Sequence, residues 1–229
     1  MVKNHLKTIS APKTWPVKRK EKIWVTKPNS GPHALQNSLS LNFVLKNFLK
    51  LAKTTKEVKY ILQTHEILVD GVRRKDPKFN IGLMDTLFIS PLKKNYRLLF
   101  NKYGKIDFIE ISEEESKIKI LSILGKHCIK GKFQLNLFDG RNILTDKNEY
   151  KIRDSLLLEL PSQKILKTLP LKKGSYIFIV GGKNLGAYGK IEEIQDKHLI
   201  FKHGSKFVKT LKKYGFVIGE DKPEITLIK

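Results

Sequence analysis

At 229 residues, 40% of them hydrophobic, the chain is long enough to bury real cores and to form more than one small domain. Its formal charge of +23 is too high for an ordinary enzyme surface, because self-repulsion of that size destabilises a lone compact protein; a polyanionic partner is the natural counterpart. A single cysteine, Cys128, excludes an internal disulfide, and the absence of any apolar run near the roughly 18–20 residues of a membrane span, or of a secretory leader, leaves a soluble cytoplasmic protein as the expectation.

Residues 1–40 hold eight Lys or Arg against Glu21 alone, with turn-formers at Pro12, Pro16, Pro28, Gly31 and Pro32. Trp15 and Trp24 stand among Lys13, Lys18, Arg19, Lys20, Lys22 and Lys27. That composition predicts a basic extension that orders on nucleic acid, lysines on phosphates and rings on bases or sugars. The competing reading is that the rings pack back onto the folded body, since so large a side chain gains from burial.

Residues 41–95 predict a small module of two helices and a hairpin. Leu41, Val44, Leu45, Phe48 and Leu49 recur at helical spacing, with Lys46, Lys50 and Lys53 off that face. Thr54 then stands three residues before Glu57, the spacing of a capping box. Val58, Ile61 and Leu62 give the second helix its buried side, while Lys56, Lys59 and Gln63 form a polar row. Ile67-Leu68-Val69, Asp70-Gly71 and Val72-Arg73-Arg74-Lys75 read as a tight hairpin, because glycine adopts the positive φ that such a turn requires. A further strand is expected from Thr86 to Ser90.

Residues 96–170 read as a mostly β central domain. Tyr96, Leu98 and Phe100 alternate, as do Phe133, Leu135 and Leu137, and Leu156, Leu158 and Leu160. Ser112 to Glu115 could cap a helical turn, although the alternation from Ile118 favours a strand, and Glu113-Glu114-Glu115 are expected to be solvated. Charge separates this segment from its flanks: eleven cations face ten acids over 106–170, against fourteen and five over 41–105 and twelve and six over 171–229. A purely solubilising charge has no reason to avoid the centre.

Residues 171–229 predict a small β-barrel. Tyr176 to Val180 form a strand, the glycine-rich stretch from Gly181 to Gly189 a loop, Lys190 to Ile194 a second strand, and Phe216-Val217-Ile218 the closing one. A phosphate-cradling loop opens into a helix, so that backbone N–H groups point at the phosphate; here a strand follows, without Gly-Lys-Ser/Thr. The glycines are instead expected to supply positive φ and room for a nucleic-acid backbone. The six histidines show no zinc-ligand spacing, and no Ser–His–Asp or Cys–His arrangement stands out.

The helix–helix–hairpin with Leu68-Val69-Asp70-Gly71-Val72-Arg73 resembles the S-four RNA-binding domain, and Gly181-Gly182-Lys183-Asn184-Leu185-Gly186 resembles the KOW motif of ribosomal proteins and elongation factors. In this order the two resemble the archaeal and eukaryotic S-four-e family of small-subunit ribosomal proteins. Further landmarks of that family are matched by His5-Leu6-Lys7, Ala11-Pro12-Lys13, Ser30-Gly31-Pro32-His33, Gly82-Leu83-Met84-Asp85, Asp139-Gly140-Arg141-Asn142 and Phe216-Val217-Ile218-Gly219. Two positions depart from it. Asn80 replaces a common proline, which predicts a less rigid approach to the Gly82 turn, and Ala187 replaces a basic residue, which shifts phosphate contact to Lys183 and Lys190.

The resemblance implies an α+β fold: a basic extension (1–40), an S-four-like module (41–95), a β domain (96–170) and an SH3-like KOW barrel (171–229). It further implies a non-catalytic structural constituent of the small ribosomal subunit, without cofactor, metal or small-molecule substrate, whose partners are small-subunit rRNA and neighbouring ribosomal proteins. The expected RNA contacts are Lys13, Trp15, Lys18, Arg19, Lys20 and Lys22 on the extension and Lys53, Lys56, Lys59, Arg73, Arg74 and Lys75 on the module. Lys183, Asn184, Lys190, Lys206, Lys212 and Lys213 are those of the barrel. Lysine is a mobile point charge suited to phosphates rather than to bidentate base reading, so affinity should fall steeply with salt. Two alternatives are an RNA-modifying enzyme that docks through the module, for which the central segment offers no obvious nucleophile, and a transcription or RNA-chaperone factor.

Overall fold

The computed structural model describes residues 4–227, which divide into two compact units. One runs to Leu98 and includes 105–116; the other takes 99–104 and everything from Lys117 onward. Among the described residues helices are few and short and strands predominate, so the expected α+β balance is shifted well towards strand.

In the first unit Leu6–Lys7 (β1) pairs antiparallel with Trp24–Val25 (β2). The chain between them is seated in the fold. Trp15 is 1% exposed, donates its indole N–H to the Leu35 carbonyl at 3.1 Å and lies against the Phe43 ring. The Ile106 N–H donates to the Thr14 carbonyl at 2.8 Å, and Lys105 Nζ to the Lys13 carbonyl at 2.6 Å. Ser38–Ser40 (β3) leads into one α-helical turn, Leu41–Phe43 (α1), which Ser40 Oγ caps by accepting from the Phe43 N–H. The expected regular helix to Leu49 does not continue: Val44–Phe48 is a π turn closed by Leu49 N–H on the Val44 carbonyl, and Lys50, at φ 53°, ends it.

Thr55–Thr64 (α2) carries the expected capping box: Thr54 Oγ1 accepts from the Glu57 N–H at 3.2 Å, and Glu57 Oε2 accepts from the Thr54 N–H. Val58 and Leu62 are buried. Ile67–Val69 (β4) turns through Asp70 and Gly71, at φ 51° and 74°, into Val72–Arg73 (β5); positive φ at both central residues marks the turn whose twist matches paired strands. Asn80–Gly82 (β6) pairs with β3. Thr86–Ile89 (β7), Lys94–Phe100 (β8) and Ile106–Ile111 (β9) complete a sheet of order β5-β4-β7-β8-β9.

Buried polar pairs fix this unit. His33 Nε2 lies 2.9 Å from Asp85 Oδ1, and Asp85 Oδ2 accepts from the Gly82 N–H at 2.8 Å. Gly82 is required there because the His33 ring fills the space of a Cβ. Asn80, expected to loosen this approach, is 4% exposed and donates to the His33 carbonyl at 2.7 Å, so its amide pins the strand instead. Arg97 bonds Glu115 at 2.7 Å from the buried interior, where desolvation holds its pKa below the usual range. Glu115 belongs to a short helix, Glu113–Ser116 (α3), so the acidic run is only partly a solvated turn.

The second unit holds two five-stranded antiparallel sheets. Ile118–Ile129 (β10) is central to the first, with Lys132–Leu137 (β11), Asn142–Thr145 (β12), Ser155–Glu159 (β13) and Ile165–Leu169 (β14) in the order β12-β11-β10-β13-β14. Leu121, Ile123, Leu135, Leu137, Leu156 and Leu158 form its core. Lys119 is fully buried and bonds Asp139 at 3.2 Å, and Arg141 Nε reaches the same carboxylate at 2.9 Å. The other sheet contains Tyr176–Ile179 (β15), Tyr188–Ile194 (β16), His198–His203 (β17), Lys206–Leu211 (β18) and Gly215–Gly219 (β19), ordered β18-β17-β16-β15-β19. The strand expected to close a barrel, β19, pairs beside β15 at one side of this sheet.

Candidate nucleic-acid interface

In the first unit the structure gathers cations that sequence had left in separate elements. Lys22 follows the turn after Trp15, Lys46 lies on the π turn, Lys50 ends it, and Lys53 precedes the cap of α2. Together with Asn47 and Ala52 they line one groove of about 340 Å³. Among the described residues no acidic side chain lines it. Lys22, Lys46 and Asn47 also border the adjoining cleft beside Trp24. Lys22 and Lys53 are among the contacts expected from sequence; Lys46 and Lys50 are not. Only tertiary folding brings the four together.

A second basic edge is α2 with the β4–β5 hairpin. Lys56, Lys59 and Tyr60 are exposed on one side of the helix, opposite Val58 and Leu62. Arg73 donates from Nη2 to the Gln63 carbonyl at 3.0 Å, a cation at the end of α2 where the helix dipole favours one, and still leaves its side chain exposed. Lys75 is exposed as well. Arg74 is different: its guanidinium lies 4.5 Å over the Phe79 ring and its Nε is buried.

Two expected contacts on the extension are occupied by the protein itself. Trp15, proposed from sequence as a stacking ring, is buried because its ring fills the first unit's core and its N–H is bonded there. Arg19, half-buried, donates to the Ile9 carbonyl at 2.6 Å and the Ala11 carbonyl at 3.1 Å, clamping the segment. Lys13, Lys18, Lys20 and Lys22 remain exposed. The exposed ring is Trp24, at 55%, with Lys7 Nζ 5.8 Å from its centroid and His5 against its edge.

In the second unit the glycine loop has the expected positive φ at Gly182 and Gly186, but the space its glycines leave is filled by protein. A Cβ on Gly181 would stand 2.5 Å from the Tyr214 ring, Gly186 lies against the Asn101 carbonyl and Gly189 against that of Lys202. At those three glycines the place of the missing side chain is taken by the protein itself. Lys183 is exposed, Asn184 is half-buried, and Lys213 Nζ sits 5.0 Å from the Tyr214 centroid. Lys190 pairs with Asp221 at 2.8 Å; the carboxylate raises the ammonium pKa and is itself lowered. Lys206 is exposed on β18 and Lys212 half-buried in the turn before Tyr214.

Cations of the near-neutral segment are largely spoken for by internal partners. Lys119 and Arg141 bond Asp139, Lys126 reaches the Tyr150 carbonyl at 3.0 Å, and Lys132 lies 3.3 Å from Asp146. Among the described residues no group of three or more His, Cys, Asp or Glu is placed to hold a metal, and no helix is long and apolar enough to cross a membrane.

The chain matches the family model for ribosomal family S4e over residues 92–165 and that of the RS4NT (NUC023) domain over residues 2–36. Small ribosomal subunit protein eS4 of Methanosphaera stadtmanae is 42% identical over 99% of this chain and 96% of its own length. The protein of the same name from Archaeoglobus fulgidus is 39% identical over 99% of both. A crystal structure of the 30S ribosomal protein S4e from Thermoplasma acidophilum superposes with a TM-score of 0.71 at 27% identity, covering 80% of this chain and 96% of that one. With its cations gathered on surfaces and its likeness running from end to end, the chain belongs to ribosomal family S4e.

Proposed function

We propose that the protein is a structural constituent of the small ribosomal subunit, acting in the cytoplasm and binding small-subunit rRNA and neighbouring ribosomal proteins without catalysis. The observation that carries this reading is the likeness, over the whole length, to relatives named as small-subunit proteins. The groove of Lys22, Lys46, Lys50 and Lys53 and the edge of Lys56, Lys59, Arg73 and Lys75 take consecutive phosphates around an RNA junction, as an S-four-like module would. Lys13, Lys18 and Lys20 extend that contact. Lys183, Lys190, Lys206, Lys212 and Lys213, with Asn184 beside them, take phosphates on the β15–β19 sheet as the KOW and SH3-like module. Lys190 does so by exchanging Asp221, since a solvent-exposed ion pair is weakly held and readily gives way to a polyanion. Arg74 supports the hairpin from within.

Sedimentation tests the reading. The full-length chain should travel with small subunits through a gradient at high salt, as an integral component does. Its release into the soluble fraction would identify a transient factor instead.

A further inference from the structure

The β17–β18 hairpin combines features that phosphate binding alone does not use. From Lys197 to Gly219 the chain contains no Asp or Glu but six lysines, at 197, 202, 206, 209, 212 and 213. In the middle of them Phe207 is 68% exposed. Register explains its position: Phe207 lies directly opposite Lys202, and Lys209 opposite Ile200, so these four share one face of the ribbon. The alternate face carries Phe201, Leu199 and Thr210 into the interior. Phe207 therefore stands on the solvent side by construction, with an ammonium on either side along and across the ribbon.

We propose that this hairpin binds an unpaired nucleotide of RNA, its base stacked on the Phe207 ring and its flanking phosphates on Lys202 and Lys209. The inference rests on the reading of the chain as an RNA-binding protein. A flat ring between cations on a β ribbon is the arrangement that takes single strands, since every base has a stackable face and every linkage a charge. Duplex RNA cannot use it, because paired bases are already stacked and the major groove is too narrow. β18 is also the edge of its sheet, open to addition of a protein strand. Its lysines oppose that use: they blunt edge pairing and are depleted at protein interfaces.

The test uses the purified full chain with two fluorescent probes, an oligouridylate of about twelve nucleotides and an RNA duplex of similar length. Phe207→Ala should weaken oligouridylate binding about tenfold or more, leave duplex binding unchanged and keep the wild-type melting temperature. Phe207→Trp should restore the affinity. A 5-iodouridine-substituted probe should crosslink within the β17–β18 hairpin. Equal losses for both probes, no loss for either, or a crosslink elsewhere overturns the proposal while the RNA-binding reading stands. If the wild type binds neither probe, that reading falls and the proposal with it.

Discussion

Trp15 is 1% exposed and Trp24 55%, although both stand in the same lysine-rich stretch. Composition treats the two alike; burial separates them because Trp15 has a carbonyl and an aromatic neighbour waiting in the core. Trp15→Ala should cost about 3–5 kcal/mol in urea unfolding of the full chain, the range for deleting a large buried ring. Trp24→Ala should change stability by no more than about 0.5 kcal/mol and register instead as weaker RNA binding. Glu57 offers a pH-dependent readout. Its carboxylate accepts from the Lys53 and Thr54 N–H groups, which holds its pKa below the ordinary 4.5. A depressed carboxylate stabilises the fold above its unfolded value, and that contribution disappears as pH falls through the folded value. The Lys53 amide resonance should therefore titrate with a midpoint below 4.5, and Glu57→Gln should abolish the titration. Such caps are legible because three residues define them. His33–Asp85 and Arg97–Glu115 are not, because folding alone selects each partner from distant sequence.

Elements set by local chemistry match their sequence expectation, as do the strands β11, β13 and β15, whereas the segment Leu41 to Leu49, shaped by packing, does not. Thr54 and Glu57 cap α2, and Asp70-Gly71 turns β4 into β5, as short-range rules require. Gly71→Ala should cost about 1–2 kcal/mol in thermal or urea unfolding, since an L side chain resists the left-handed region. By contrast, the apolar spacing of Leu41 to Leu49 says nothing of where a helix widens, and the π turn there arises from the Leu49–Val44 bond and the turn at Lys50. That irregularity matters to the groove, because Lys46 and Lys50 reach it from this segment. The double substitution Lys46→Gln, Lys53→Gln should reduce the salt slope of RNA binding by about two, and it should do so equally for different sequences. Glycines of the 181–189 loop misled for a related reason. Sequence reports the missing side chain but not whether RNA, solvent or Tyr214 occupies the space.

Across the whole molecule, a formal charge of +23 overstates what a partner meets, since Arg97 and Lys119 are buried against carboxylates. The remainder still repels itself, so an added polyanion such as polyphosphate should raise the melting temperature by binding the folded surface in preference to the unfolded chain. An uncharged osmolyte at the same weight concentration should lack that salt-sensitive part of the effect. The bonds of residues 13–14 to residues 105–106 have a consequence in time. Lys13 and its ammonium partner are 92 positions apart in the chain. Synthesis therefore delivers the lysine-rich segment well before the strand that locks it, and Trp15 must wait with its surroundings incomplete. During that interval the same lysines are already exposed, and under the proposed function they are open to RNA. Capture by the partner can begin before the fold that will hold it is finished.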